Sequence, residues 1–144
     1  MKQKILLVDD EPDALELVKV NLTNAGFFVA TAEDGDEALK KARSLSPDLI
    51  LLDVMLPQVD GLEVCKILRR DDATRDIPII MTSSLDEINS VVQCIEFGAE
   101  DYLNKPVNPI LLRARANASL EQNRLRDEQR HLSRPFPTPD PPDP

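Results

Sequence analysis

Ile5-Leu6-Leu7-Val8-Asp9-Asp10-Glu11-Pro12 opens the chain with four apolar residues in a row, then three acids, then a proline. An apolar run without polar alternation suits a strand buried on both faces of a parallel sheet. Pro12 fits the first turn of a helix, where a missing N–H leaves nothing unpaired. Strand, acidic turn and helix form the first unit, and the chain repeats it. Further apolar runs are Phe27-Phe28-Val29-Ala30, Leu49-Ile50-Leu51-Leu52, residues 77–81 with Pro78 near the start, and a weaker Asp101-Tyr102-Leu103-Asn104. Helical spacing lies between them: Leu15, Val18 and Leu22; Ala38, Leu39, Ala42 and Leu45; Leu62, Cys65 and Leu68; Ile88, Val91, Val92 and Ile95. Gly26 and Gly98 stand where helix C-caps belong. Ser84-Leu85-Asp86-Glu87 reads as a capping box opening a fourth helix over 85–97, and Asp34-Gly35 and Asp60-Gly61 read as turns. Strict alternation with short connections predicts α/β architecture, a (βα)5 doubly wound five-stranded parallel sheet with helices on both faces.

The fifth helix is long. Nothing breaks it from Asn108 or Pro109 to about Leu132, and Leu111, Ala118, Leu125 and Leu132 recur every seven residues with Arg, Gln and Glu between them. Either it docks with its last turns solvated, or it is a signalling helix leading to a partner or a further domain. Residues 134–144, with six prolines in the last ten, read as an extended linker or disordered end. The expected organisation is a folded domain over 1–125, a continuation of the fifth helix over 126–133, and the Pro-rich tail.

Composition narrows the function. Cys65 and Cys94 are far apart and in no CxxC pattern, which excludes a disulfide scaffold or a cysteine-ligated zinc site. The lone histidine, His131, leaves no Ser-His-Asp or Cys-His catalysis in the body. No apolar run reaches the roughly 18 residues of a membrane span, and the short N-terminal run followed by acid is no signal peptide, so a cytoplasmic location is expected. The formal charge is −9. Residues 1–112 hold 11 Lys and Arg against 21 Asp and Glu, so direct nucleic-acid binding is not expected of this surface.

The acids gain meaning when placed on the fold. Ligands of such sheets sit at the carboxyl ends of the strands. Asp9 and Asp10 follow the first strand, Asp53 ends the third, Thr82 ends the fourth and Lys105 follows the fifth. Each alone has an ordinary explanation, such as helix capping for the Asp pair, a turn for Asp53, or a surface lysine for Lys105. Together they bring three carboxylates into one crevice, which is costly unless a cation joins them. Carboxylate oxygens and water suit a hard ion such as Mg²⁺, with Mn²⁺ as a substitute. Such a site can hold a phosphoryl group, with Lys105 and the Thr82 hydroxyl on its oxygens.

Ile5-Leu6-Leu7-Val8-Asp9-Asp10-Glu11-Pro12, Asp53-Val54-Met55-Leu56-Pro57 with Asp60-Gly61, Met81-Thr82-Ser83, and Gly98-Ala99-Glu100-Asp101-Tyr102-Leu103-Asn104-Lys105-Pro106 together resemble the receiver domains of two-component response regulators. The resemblance covers residues 4 to about 125. It implies a flavodoxin-like strand order 2-1-3-4-5. It makes Asp53 the acceptor of a phosphoryl group from a phosphohistidine on a partner histidine kinase or phosphotransfer protein. It makes Asp10, Asp53 and the backbone carbonyl of Met55 the Mg²⁺ ligands, with Asp9 acting through water. Thr82 and Lys105 would contact phosphoryl oxygens, and the acyl phosphate would hydrolyse slowly by itself. Thr82 and Tyr102 would form the switch that remodels the surface of helix 4, strand 5 and helix 5, although Tyr102 read from its sequence alone is also an ordinary half-exposed core aromatic. The resemblance further implies a cis Lys105–Pro106 bond.

Some positions depart from the family. Ser83 replaces a small apolar residue, and Met55 and Ser84 occupy positions that tune access of the hydrolytic water. Helix 4 carries no Lys or Arg, the basic residue with which one DNA-binding subfamily salt-bridges a symmetric dimer. A homodimer through the helix 4–strand 5–helix 5 face, or through the long C-terminal helix, is the remaining partner expectation besides the kinase; no membrane partner is expected. The chain would be a single-domain regulator or the receiver piece of a longer protein. Two rivals remain. A Mg²⁺-dependent phosphohydrolase would want a second acid two residues after the nucleophile, where this chain has Met55. A phosphate-independent dimerisation module would be expected to have lost one of the five site residues.

Overall fold

Every residue of Leu49–Asp53 is buried, as befits the middle strand of a sheet covered on both faces. The computed structural model describes residues 2–133. Its elements are β1 (Lys4–Val8), α1 (Pro12–Asn24), β2 (Phe28–Ala32), α2 (Gly35–Leu45), β3 (Leu49–Asp53), α3 (Gly61–Arg70), β4 (Ile79–Ser83), a 3-10 turn (Leu85–Glu87), α4 (Ile88–Glu96), β5 (Asp101–Asn104) and α5 (Pro109–Ser133). The strands form one parallel sheet in the order β2-β1-β3-β4-β5, the α/β architecture and strand order expected.

The period-2 alternation of strand side chains splits the interior into two cores. Leu6, Val8, Ile50, Leu52, Ile79 and Met81 face α2, α3 and α4. Ile5, Leu7, Leu49, Leu51, Ile80 and Leu103 face α1 and α5. Gly26 and Gly98 follow the ends of α1 and α4 with φ of 100° and 112°, left-handed values that favour glycine.

Asp34 and Asp60 are N-caps rather than turn residues, accepting hydrogen bonds from the backbone N–H groups of Glu37 (2.8 Å) and Glu63 (3.0 Å). The fourth helix opens with the 3-10 turn, where the Glu87 carboxylate accepts from the Ser84 N–H at 2.7 Å. Its buried stripe is Val91 and Cys94, while Ile88, Val92 and Ile95 are 46%, 50% and 42% exposed. Apolar residues occupy two faces of this helix, so spacing did not distinguish them. The compact Cys94 is chosen at the contact with α3, where Cys65 Sγ lies 3.9 Å from the Cys94 carbonyl. On α5, Leu112, Ala116 and Leu120 are buried, whereas Leu111, Ala118 and Leu125 of the seven-residue pattern face solvent. The Pro-rich segment 134–144 lies outside the described residues, as does the side chain of Leu132.

Candidate functional site

The strand register builds the site. Val8 lies beside Leu52, which sets Asp9 level with Asp53, and Asp53 lies beside Thr82. Ser83 is paired with Asn104, and the Lys105 N–H continues the ladder onto the Ser83 carbonyl at 2.7 Å. All of these positions fall on the carboxyl edge of the sheet.

Lys105 reaches into this edge. Its Nζ lies 2.7 Å from Asp53 Oδ2, 3.2 Å from Asp9 Oδ2 and 3.8 Å from Glu11 Oε1. The peptide bond that follows, to Pro106, is cis. Asp53 is 2% exposed. Burial pushes its carboxyl up to about 6, against the opposing pull of the Lys105 ammonium and with a further push from Asp9. Burial pulls the Lys105 ammonium down, but Asp53 and Asp9 outweigh it and hold it above the ordinary lysine value. The Met55 N–H donates to Asp53 Oδ1 at 3.3 Å, so the backbone of the loop after β3 lines the carboxylate.

Asp9, Asp10 and Asp53 each present a carboxylate oxygen, all within 4.8 Å of one another. Two of the three are buried. One ammonium against three carboxylates leaves negative charge, and an all-oxygen donor set suits a hard divalent cation. The residues therefore fit Mg²⁺, which the carboxylates of Asp9, Asp10 and Asp53 could hold. Asp9 also accepts a hydrogen bond from the Glu11 N–H at 3.0 Å, so it shapes the turn into α1 as well as the site.

Thr82 is buried beside Asp53. Tyr102, paired with Met81 one step back from Thr82, is half-buried against the core under α4. Two contributors escaped the sequence reading. Glu11 adds a third carboxylate facing Lys105; its place in the acidic run was the available signal. Gly61 starts α3 and donates its N–H to the Val54 carbonyl at 2.8 Å. A Cβ there would stand 2.3 Å from the Asp53 carbonyl oxygen and 2.9 Å from Val54 Cα. Only a residue without a side chain lets the helix seat against the end of β3.

Residues 5–117 match the response regulator receiver domain family. The chain is a member of that family. This receiver is 47% identical over 125 residues to the alkaline phosphatase synthesis transcriptional regulatory protein PhoP of Bacillus subtilis, covering 87% of this chain and 51% of that protein. It is 48% identical over 115 residues to the DNA-binding dual master transcriptional regulator RpaA of Synechocystis, covering 78% of this chain and 48% of that one. Among solved structures, a putative response regulator from Chloroflexus aurantiacus is similar with 35% identity and a TM-score of 0.80, covering 84% of this chain and 99% of its own. NtrX from Brucella abortus gives 33% identity and a TM-score of 0.85, covering 92% of this chain and 30% of its own.

The receiver spans about half the length of the curated relatives it matches. Those relatives overturn the expectation of no direct nucleic-acid binding, since regulators named as DNA-binding are among them. The acidity of the receiver surface is real, but it describes this half of such proteins and carries no information about the other half. No helix among the described residues is long and apolar enough to cross a membrane.

Proposed function

We propose that Asp53 accepts a phosphoryl group from a phosphohistidine of a partner histidine kinase or phosphotransfer protein, and that this changes the surface around α4, β5 and α5. The observation that carries the reading is the 2.7 Å contact of Lys105 Nζ with Asp53 Oδ2 inside the cluster of Asp9, Asp10 and Asp53. An Asp53 oxygen forms the new bond to phosphorus while the phosphorus–nitrogen bond to the histidine breaks, and the imidazole nitrogen keeps the electron pair. Lys105 and the Thr82 hydroxyl bind the phosphoryl oxygens, and Asp10, Asp53 and the Met55 carbonyl would hold Mg²⁺, with Asp9 acting through water. Bound Mg²⁺ supplies neutralisation of the negative charge that collects between donor and acceptor. Water later cleaves the acyl phosphate, so the protein catalyses only its own phosphorylation and its slow reset. Thr82 moving toward the phosphoryl group opens space near α4 that Tyr102 can enter. The protein is thus a cytoplasmic signalling phosphoacceptor, and its output is the control of transcription through a DNA-binding region, as the names of its relatives suggest.

Beside the crevice lies an apolar groove of about 360 Å³, whose walls include Ala14, Leu17, Val18, Pro106 and Val107. Leu17 is 62% exposed there. It suits the side of a kinase helix whose histidine reaches Asp53. Leu17→Asp is expected to slow transfer from a phosphorylated kinase about tenfold or more, the loss of one well-packed interface anchor. Uptake from acetyl phosphate, which needs no docking surface, should stay within about twofold of wild type, because Leu17 is an exposed side chain that supplies no group to the phosphoryl site. Parallel transfer assays with the two donors check this. Equal slowing with both would place Leu17 in the fold rather than in docking.

A further inference from the structure

The connector from α4 to β5, Gly98-Ala99-Glu100, is gripped from two directions. From α3, Arg69 donates to the Gly98 carbonyl through Nε at 3.2 Å and Nη2 at 2.7 Å. Its Nη1 also donates to the carbonyls of Arg75 at 2.9 Å and Ile77 at 2.7 Å. From α5, Ser119 Oγ donates to Glu100 Oε1 at 3.0 Å, and Arg126 Nη2 donates to Glu100 Oε2 at 2.9 Å. Ser119 and Arg126 are seven residues apart and so share one face of the helix. The Glu100 carboxylate is thus occupied on both oxygens by the same helix, while its backbone N–H is bonded to the Ile79 carbonyl at the start of β4.

The two halves of α5 are held differently. Leu112, Ala116 and Leu120 sink into the core under the sheet. Past Leu120, none of residues 121–129 is buried, and Leu125 is 48% exposed. Arg124 pairs with Glu121 and Glu128, within the helix itself. Arg126–Glu100 is an ion pair that ties this distal half to the body. Its anchor lies on the connector that links the end of α4 to β5, four residues past the end of one and directly before the other.

We propose that Glu100, Ser119 and Arg126 form a latch. It holds the distal half of α5 against the body while Asp53 is unmodified. It loosens when α4 and β5 shift, so that α5 beyond Leu120 reads out the state of the site. The proposal rests on the phosphoacceptor reading above. Arg69 holds Gly98 to α3, and Glu100 is the connector residue whose side chain α5 holds, so a shift of the connector reaches α5 through Glu100. Partly exposed ion pairs contribute little individually, so a modest displacement is enough to change how often the helix end opens.

The test is hydrogen exchange of the full chain, followed in peptides covering 121–133, with and without beryllofluoride and Mg²⁺. Wild type is expected to exchange about two- to fivefold faster there when beryllofluoride binds, the range set by losing one such pair. Glu100→Gln and Arg126→Gln should show the faster exchange already without beryllofluoride, and little further change with it. The swapped pair Glu100→Arg with Arg126→Glu should restore slow exchange and the response. Slowed exchange around Asp53 and Thr82 reports that beryllofluoride has bound. Binding with no change in 121–133 of wild type overturns the latch and leaves the phosphoacceptor reading standing. A full response in Glu100→Gln also overturns the latch. Absence of any binding overturns both.

Discussion

Asp53→Asn is expected to stabilise the metal-free protein at pH 7 by up to about 3 kcal/mol, at about 1.36 kcal/mol for each unit by which the carboxyl is raised. Burial holds the Asp53 carboxyl near 6 in the folded state against 3.8 for the free group. The folded protein therefore binds that proton more tightly than the unfolded chain. Its contribution is fully present below pH 3.8 and is lost as pH rises through about 6, so at pH 7 the ionised carboxylate is a net cost. Lys105 reduces this cost without cancelling it. Urea unfolding in a chelator should show wild type losing stability relative to Asp53→Asn across that interval, with the two curves meeting in acid. Mg²⁺ should then stabilise wild type strongly and the variant weakly, because the variant has lost one anionic oxygen ligand. A variant less stable than wild type at pH 7 would mean that Lys105 holds the carboxylate more firmly than burial opposes it.

Gly61→Ala is expected to cost about 3 kcal/mol of stability, the upper part of the range for overpacking a rigid site. The added methyl would meet backbone atoms, the Asp53 carbonyl at 2.3 Å and Val54 Cα at 2.9 Å, which cannot swing away as the end of a side chain can. Relief requires α3 or the 54–60 loop to move. That loop carries the Met55 carbonyl, so Mg²⁺ affinity should fall with stability, by about tenfold for a ligand displaced from its place. Gly26→Ala separates the two effects. Its Cβ would meet nothing within 4 Å, but φ there is 100°, so it should cost about 1 kcal/mol and leave Mg²⁺ affinity unchanged. Calorimetric unfolding and Mg²⁺ titration of both variants provide the comparison. Intact affinity in Gly61→Ala would show that the loop adapts without disturbing the carboxylates.

The sheet was legible because its central strands β1 and β3 are apolar on both faces and end abruptly in acid. Leu49-Ile50-Leu51-Leu52 followed by Asp53 admits one placement: four residues inside and a carboxylate at the edge. The site followed, because parallel register aligns the residues after each strand. Helix faces were less legible where apolar residues exceed what burial needs. On α4 two apolar stripes competed, and packing against Cys65 chose Val91 and Cys94. On α5 a seven-residue repeat drew attention to the outer face, while the buried set of Leu112, Ala116 and Leu120 follows the four-residue spacing of a helix laid on a sheet. The seating of Gly61 was not legible, because it depends on the approach of a helix end to a strand end. Net charge misled on nucleic acid for a different reason: it measures only the residues it counts, and those span about half the length of the named relatives.

The central claim is that Asp53 is the phosphoacceptor, and intact mass after treatment with acetyl phosphate and phosphoramidate in Mg²⁺ tests it most directly. Wild type is expected to gain one phosphoryl group that hydroxylamine removes, as befits an acyl phosphate, and Asp53→Asn to gain none. A phosphoryl group appearing equally on Asp53→Asn, or none on wild type with Mg²⁺ bound, would contradict the account.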